Sequence, residues 1–181
     1  GRYIMGHPEP WTTWQEREVD DTSNGKVIRV VCNIGGLASV SVSEMFKKGV
    51  VVCALIDLLE RSNRRVELLM ANKSVGRRGD SLTTKVLVKE ANAPLDLERV
   101  AFALAHAACF RRLVFSIRET FDKGQRELCG VVTGGGYGST VTYRETDCVC
   151  IGNDNALMRD DNRRNAWLRQ VLEEQGIEWG E

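Results

Sequence analysis

The stretch that decides the fold is Val27-Ile28-Arg29-Val30-Val31-Cys32-Asn33, followed directly by Ile34-Gly35-Gly36. Its β-branched and apolar residues are typical of a strand in a buried sheet, and the two glycines end it. Ser41-Val42-Ser43-Glu44 then has the S-x-x-E spacing of a capping box, which predicts a helix that begins near residue 42. A strand, a loop and a helix in this order open many α/β folds, which place their sites at the carboxyl end of the strand.

The composition indicates one domain without a charge bias. The 181 residues are enough for a substantial core, and we expect residues 1–25 to be an arm and residues 26–181 to be a single domain. Lys and Arg total 25, as do Asp and Glu, so no overall field attracts nucleic acid or a membrane surface. The longest apolar run, residues 50–59, is too short to span a bilayer and contains Asp57.

The cysteine pattern favours a reduced, cytoplasmic protein. The six cysteines are Cys32, Cys53, Cys109, Cys129, Cys148 and Cys150. Cys32, Cys53 and Cys109 lie inside apolar runs, so we expect them to be small core residues. No C-x-x-C pair occurs, and Cys148-Val149-Cys150 predicts two thiols on one face of a strand, so we do not expect a zinc site.

Six further elements follow the first strand and helix. We predict strands at 65–71, 82–89 and 147–151, a helix capped by Asp96, a helical segment at 110–121 that Lys123-Gly124 ends, and a last helix at 162–175. The ten residues 72–81 are expected to form a flexible connection rather than a tight turn. Gly49, in the middle of the first helix, predicts close approach to a neighbouring strand.

This order of elements predicts a three-layer, Rossmann-like α/β fold. Right-handed crossovers give the strand order 3-2-1-4, in a mostly parallel sheet with helices on both faces. Because no helix lies between the second and third strands, the third should be antiparallel and lie at an edge.

The predicted topology resembles the von Willebrand factor A (VWA) domain. That family has a D-x-S-x-S metal motif after its first strand, which aligns here with Asn33-Ile34-Gly35-Gly36-Leu37, so that Asn replaces Asp and both serines are lost. Asp154 matches the family's aspartate after the fourth strand and is the single candidate ligand for Mg²⁺. The resemblance implies a partner-binding face at this edge, and we expect no cofactor.

Several short runs are similar to an uncharacterised family found in tailed bacteriophages and some bacteria. They lie at residues 6–9, 94–97, 102–106, 111–115 and 136–138. The resemblance implies a phage origin and carries no activity. His106, near a helix end, is interpreted as a cap or core residue, with a general base or anion ligand as the alternative.

These observations favour a non-enzymatic protein-binding module that acts in the host cytoplasm. The expected contact residues are Asn33, Gly35, Gly36, Ser39, Asp154 and Asn155. By analogy with the VWA family, the expected partner is an ATPase of the MoxR type. One alternative is nucleic-acid binding through Arg77, Arg78, Arg111 and Arg112, and another is a metal-dependent hydrolase or nuclease built on Asp154.

Overall fold

The computed structural model of the chain describes residues 25–35, 40–75, 81–106, 109–128, 143–152 and 159–178, with only the backbone given for 110, 111, 115 and 118. Apart from Gly25, the predicted arm lies outside the described residues.

The described residues form a four-stranded sheet in the order β3-β2-β1-β4. Its strands are β1 (Val27–Asn33), β2 (Arg65–Val75), β3 (Ser81–Lys89) and β4 (Val149–Ile151). β1 is parallel to β2 and β4, whereas β3 pairs antiparallel with β2. This mixed α/β sheet, with its antiparallel edge strand, confirms the predicted fold class and strand order.

Helices connect and follow these strands. They are α1 (Val42–Arg61), α2 (Leu97–Ala105), a π-helical segment (Cys109–Val114), α3 (Phe115–Glu119), α4 (Lys123–Leu128) and α5 (Asp161–Glu174). Asp96 caps α2 as predicted, with its side chain accepting a hydrogen bond from the Arg99 backbone N–H. Gly176, at a φ of 71°, follows the end of α5 in the left-handed conformation that favours glycine.

The main core lies on one face of the sheet. Alternate strand residues point to opposite faces, and Ile28, Val30 and Cys32 of β1 pack with buried residues of α1, α2 and α5. The described residues of the other face form a smaller cluster of Val31, Ala71 and Tyr143. Helices on both faces, and hence three layers, therefore stay a prediction.

The capping box at the start of α1 is present as predicted. The Glu44 backbone N–H donates to Ser41 Oγ at 3.2 Å, and the Ser41 backbone N–H donates to Glu44 Oε2 at 2.8 Å. Two backbone donors that the helix cannot satisfy internally are thereby paired, which fixes where α1 begins.

Replacing Ser41 by alanine should therefore lower the free energy of unfolding by about 1 kcal/mol, because the Glu44 backbone N–H loses its acceptor. Urea denaturation measures the loss. Ser43→Ala is the matched control, since Ser43 is an exposed residue within the first turn and should change stability by less than about 0.5 kcal/mol. Equal effects from both variants would contradict the role of the cap.

The connection between β2 and β3 is shorter than predicted. The antiparallel pairing continues through Asn72↔Thr84 to Val75↔Ser81, so residues 72–75 belong to β2 and five residues, 76–80, join the strands. The prediction of a ten-residue flexible connection was wrong, because ladder pairing compensates for the low strand propensity of Asn72 and Ser74.

A β-bulge near the end of β3 places a lysine in the protein interior. Leu68 pairs with Lys89 and Leu69 pairs with Leu87, so Val88 is the extra residue. The bulge lets the consecutive residues Val88 and Lys89 both be buried, which regular alternation would not allow. The Lys89 ammonium lies 2.6 Å from Glu60 Oε1 and also donates to the carbonyls of Val66 and Glu90.

Two further predictions are corrected. A Cβ at Gly49 would lie 3.1 Å from the Cβ of Ala105, so this glycine allows close approach of helix α2, not of a strand. Lys123-Gly124 begins a helix rather than ending one, because Asp122 caps α4. Asp122 Oδ1 accepts from the Gln125 backbone N–H at 2.8 Å, which offsets the poor helix propensity of the glycine.

Candidate functional site

The site predicted from the sequence lies at the carboxyl ends of β1 and β4. We use the name carboxyl edge for these strand ends together with the first two turns of α1, where Lys48 contacts the end of β1. Of its six predicted contact residues, Asn33 and Gly35 are described. The other four, Gly36, Ser39, Asp154 and Asn155, lie outside the described residues.

Asn33 shapes the turn that leaves β1. Its side chain is buried, and its Oδ1 accepts a hydrogen bond from the Gly35 backbone N–H at 2.9 Å. The Ile34 backbone N–H donates to the Ala71 carbonyl at 2.9 Å, which extends the pairing with β2 by one residue. An asparagine that bonds the backbone two residues on is a common turn device, and here it sets the direction of the chain as it leaves the sheet.

Lys48 is the residue of this edge that the sequence prediction missed. It is 8% exposed, and its ammonium donates a hydrogen bond to the Asn33 carbonyl. Burial raises the pKa of the Cys32 thiol, and the nearby Lys48 ammonium opposes that rise. The available signal was helical spacing, since Lys48 precedes the buried residues Val52 and Leu55 by four and seven positions.

An ion pair links the start of α1 to the segment that follows β4. Arg159 Nε lies 2.6 Å from Glu44 Oε1, across 115 residues of sequence. Hydrogen bonds from Ser41 and from the Arg159 guanidinium hold the pKa of the Glu44 carboxyl at about 2. Glu44 therefore has two structural roles: it caps α1, and it links α1 to the segment that follows β4.

The lowered pKa of Glu44 gives a pH dependence with a defined sign. A carboxyl whose pKa falls from 4.5 to about 2 on folding stabilises the protein above pH 4.5, and that contribution is lost as the pH falls toward 2. We therefore expect Glu44→Gln to be less stable than wild type at pH 7, with the difference shrinking between pH 4.5 and pH 2.

Urea midpoints over this pH range test the prediction. Glu119→Gln, which alters an exposed carboxyl on α3, is the control and should show no such convergence with wild type. A Glu44→Gln deficit that stays constant down to pH 2 would show that the charge of Glu44 is not what stabilises the fold.

The face of the sheet opposite the main core carries a second polar group. Glu145 accepts a hydrogen bond from the Tyr143 hydroxyl, and its Oε1 lies 2.6 Å from Lys85 Nζ. Hydrogen bonds from Lys85 and Tyr143 lower the pKa of the Glu145 carboxyl. Arg29 and Glu67 pair beside it at 2.5 Å. The Lys85 contact joins β3 to the segment that precedes β4, and the Arg29–Glu67 pair joins β1 to β2.

Cys148 and Cys150 pack against the same small cluster, as the sequence predicts. Their thiols donate to the carbonyls of Glu145 and Tyr143, and burial raises the pKa of Cys148 to about 11. A thiol with so high a pKa is protonated at neutral pH and is a poor nucleophile. The five described cysteines are all free, and the described residues contain no group of three or more His, Cys, Asp or Glu side chains placed to hold a metal ion.

Exposed apolar side chains form a stripe along α1 that begins at the carboxyl edge. Val42, Phe46 and Val50 are 72%, 61% and 51% exposed, and their spacing of four places them on one side of the helix. We call these three residues the α1 stripe. Large apolar side chains that are exposed together mark interaction surfaces more often than ones that are scattered singly.

The remaining candidate residues are not brought together by the described part of the chain. His106 is the C-cap of α2 and its ring stacks on Phe102 with 5.6 Å between centroids. Arg112 is exposed, only the backbone of Arg111 is described, and Arg77 and Arg78 lie outside the described residues. Among the described helices, none has the length and apolar character needed to cross a membrane.

A family model described as a domain of unknown function (DUF7192) matches residues 1–178. No curated protein and no solved structure matches the chain.

Proposed function

Because the chain belongs to the family described as a domain of unknown function (DUF7192), its function must be argued from geometry, and we propose that it is a non-enzymatic protein-binding module. The partner contacts the carboxyl edge and the α1 stripe next to it. The observation that carries this proposal is the exposure of Val42, Phe46 and Val50 on a helix that begins at the predicted site.

Leaving these apolar side chains in water costs free energy. Covering a large apolar side chain contributes roughly 1.5–3 kcal/mol, and aromatic anchors contribute most of the binding energy of many interfaces. Phe46 lies in the middle of the stripe, with Val42 one turn before it and Val50 one turn after. A partner that covers Phe46 therefore covers both valines as well.

Three finer parts of the proposal concern the architecture, the origin and the partner of the protein. They are a VWA-like arrangement of the sheet, a phage-encoded protein that acts in the host cytoplasm, and a MoxR-type ATPase as the bound protein. The strand order β3-β2-β1-β4 supports the first, because it is the order from which the VWA resemblance was derived. The partner follows from that resemblance alone, so it is tested directly.

The experiment measures binding of a purified bacterial MoxR-type ATPase by wild type, Phe46→Asp and Leu113→Asp. Leu113 is also an exposed apolar side chain but lies on the π-helical segment, which makes it the matched control. We expect wild type and Leu113→Asp to bind equally and Phe46→Asp to bind at least about thirtyfold more weakly.

The same three proteins, used as bait in a host lysate, test the identity of the partner and the location of the binding surface independently. If a different protein is captured, and its capture depends on Phe46, the MoxR-type ATPase is overturned as the partner and the α1 stripe is supported as the binding surface. Capture that Phe46→Asp leaves unchanged, or no capture at all, would overturn the α1 stripe as the binding surface.

A further inference from the structure

Two lysines are buried in the described part of the chain, and their charges are compensated differently. The Lys89 ammonium has a carboxylate partner, Glu60, at 2.6 Å. The Lys48 ammonium donates to the Asn33 carbonyl, and no carboxylate among the described residues forms an ion pair with it. Buried charges in proteins are normally paired, because removing an ion from water is costly.

The carboxylate nearest to Lys48 along α1 is already engaged. Glu44 lies one helical turn before Lys48, at the spacing from which helical ion pairs form. Its Oε2 accepts from the Ser41 backbone at 2.8 Å and from Ser41 Oγ at 3.0 Å, and its Oε1 pairs with Arg159. Glu44, Arg159 and Lys48 together carry one net positive charge.

This positive charge lies where β1 and β4 meet. The Lys48 ammonium donates to the carbonyl of Asn33, the last residue of β1. Burial raises the pKa of the Cys32 and Cys150 thiols, and the Lys48 charge acts against the rise at both. Cys150 pairs with Val31 across the β1–β4 ladder. The chain leaves β1 toward β2 and returns later to β4 on the other side of β1, and α/β proteins bind ligands outside the carboxyl ends of strands at such a point.

We propose that the carboxyl end of β1, beside β4, binds an oxyanion, either a phosphate or a carboxylate, whose charge Lys48 balances. An ammonium has three N–H donors, of which the Asn33 carbonyl takes one and the Cys32 sulfur is placed to take another. An oxyanion accepts the remaining donor from the ammonium and neutralises the buried charge. This proposal goes beyond protein binding, and the anion site lies within the carboxyl edge that the partner is proposed to contact. The two proposals are tested separately, because the protein-binding experiment depends on Phe46 and the anion experiment on Lys48.

The competing explanation is that Lys48 only fixes the end of β1 through its bond to Asn33. The two explanations differ for neutral replacements. If Lys48 serves an anion, Lys48→Met removes an uncompensated buried charge and melts no lower than wild type in anion-poor buffer. If Lys48 only fixes the end of β1, Lys48→Met has a lower Tm than wild type in every buffer.

The experiment is thermal unfolding of wild type, Lys48→Met, Lys48→Gln and Lys47→Gln. Inorganic phosphate and acetate are titrated separately, with chloride keeping the ionic strength constant. Lys47 is exposed and adjacent, so Lys47→Gln removes an equal charge outside the proposed site. Lys48→Gln keeps an amide donor for the Asn33 carbonyl, which provides a second neutral variant if Lys48→Met does not fold.

We expect one of the two anions to raise the Tm of wild type and Lys47→Gln by several degrees with saturation. The rise should be absent in the Lys48 variants, and the effective anion identifies the ligand as a phosphate or a carboxylate. The proposal is overturned if neither anion gives a saturable rise in wild type, or if the Lys48 variants keep it. Either failure leaves the Phe46 binding experiment unaffected.

Discussion

Replacing Lys89 by alanine should lower the free energy of unfolding by about 3 kcal/mol. Lys89 is 3% exposed. Its ammonium is bonded to the Glu60 carboxylate and to two backbone carbonyls. The alanine variant leaves the carboxylate without its counter-charge and leaves the Val66 carbonyl without this donor. Urea denaturation at pH 7 measures the loss.

Lys85→Ala is the matched control for Lys89. Lys85 lies on the same strand and also pairs with a carboxylate at 2.6 Å, but its side chain is 38% exposed. Lys85 is already partly solvated and, unlike Lys89, is not bonded to two backbone carbonyls, so the expected loss is at most about 1 kcal/mol. A double variant, Lys89→Met with Glu60→Leu, should recover much of the stability lost in Lys89→Ala because no charge is left unpaired. Similar losses in Lys89→Ala and Lys85→Ala would contradict the buried position of Lys89.

The second large effect concerns the short strand β4. Ile151 is 2% exposed and packs in the main core, so Ile151→Ala should lower the free energy of unfolding by about 3 kcal/mol through lost burial and the cavity left behind. Cys150→Ala, on the opposite face of the same strand, should cost less than about 1.5 kcal/mol because few atoms are removed. A small effect at Ile151 would show that β4 is not firmly packed on β1.

Local rules predicted the parts of this fold that depend on local contacts. The Ser41 cap of α1 and the Asp96 cap of α2 are read from residues within three or four positions, and both are confirmed. The strand order also follows from the sequence, because the handedness of crossovers leaves few alternatives once the elements are identified.

One error was local, since the Asp122 cap that begins a helix at Lys123-Gly124 was overlooked. The other errors and omissions concern contacts between distant parts of the chain. Nothing near Gly49 indicates that Ala105 is its neighbour, and the strand pairing that lengthens β2 depends on residues 81–84. Lys48 was missed because a lysine beside another lysine is typical of a solvated helix face. Its burial becomes visible only when α1 is placed on the sheet and its ammonium meets the end of β1.

The ion pair between Glu44 and Arg159 has a consequence for the order in which the protein is completed. During synthesis, β1, α1, β2 and β3 leave the ribosome before Arg159, which lies 115 residues after its partner Glu44. The first helix can therefore form its cap early, but the ion pair at the carboxyl edge forms only after Arg159 has been synthesised.

We expect Arg159→Ala to accelerate unfolding while leaving the refolding rate nearly unchanged, as stopped-flow kinetics would measure. A matching fall in the refolding rate would place this contact early instead. The carboxyl edge is therefore completed later than α1 itself, and a nascent chain that lacks Arg159 cannot present this edge in finished form.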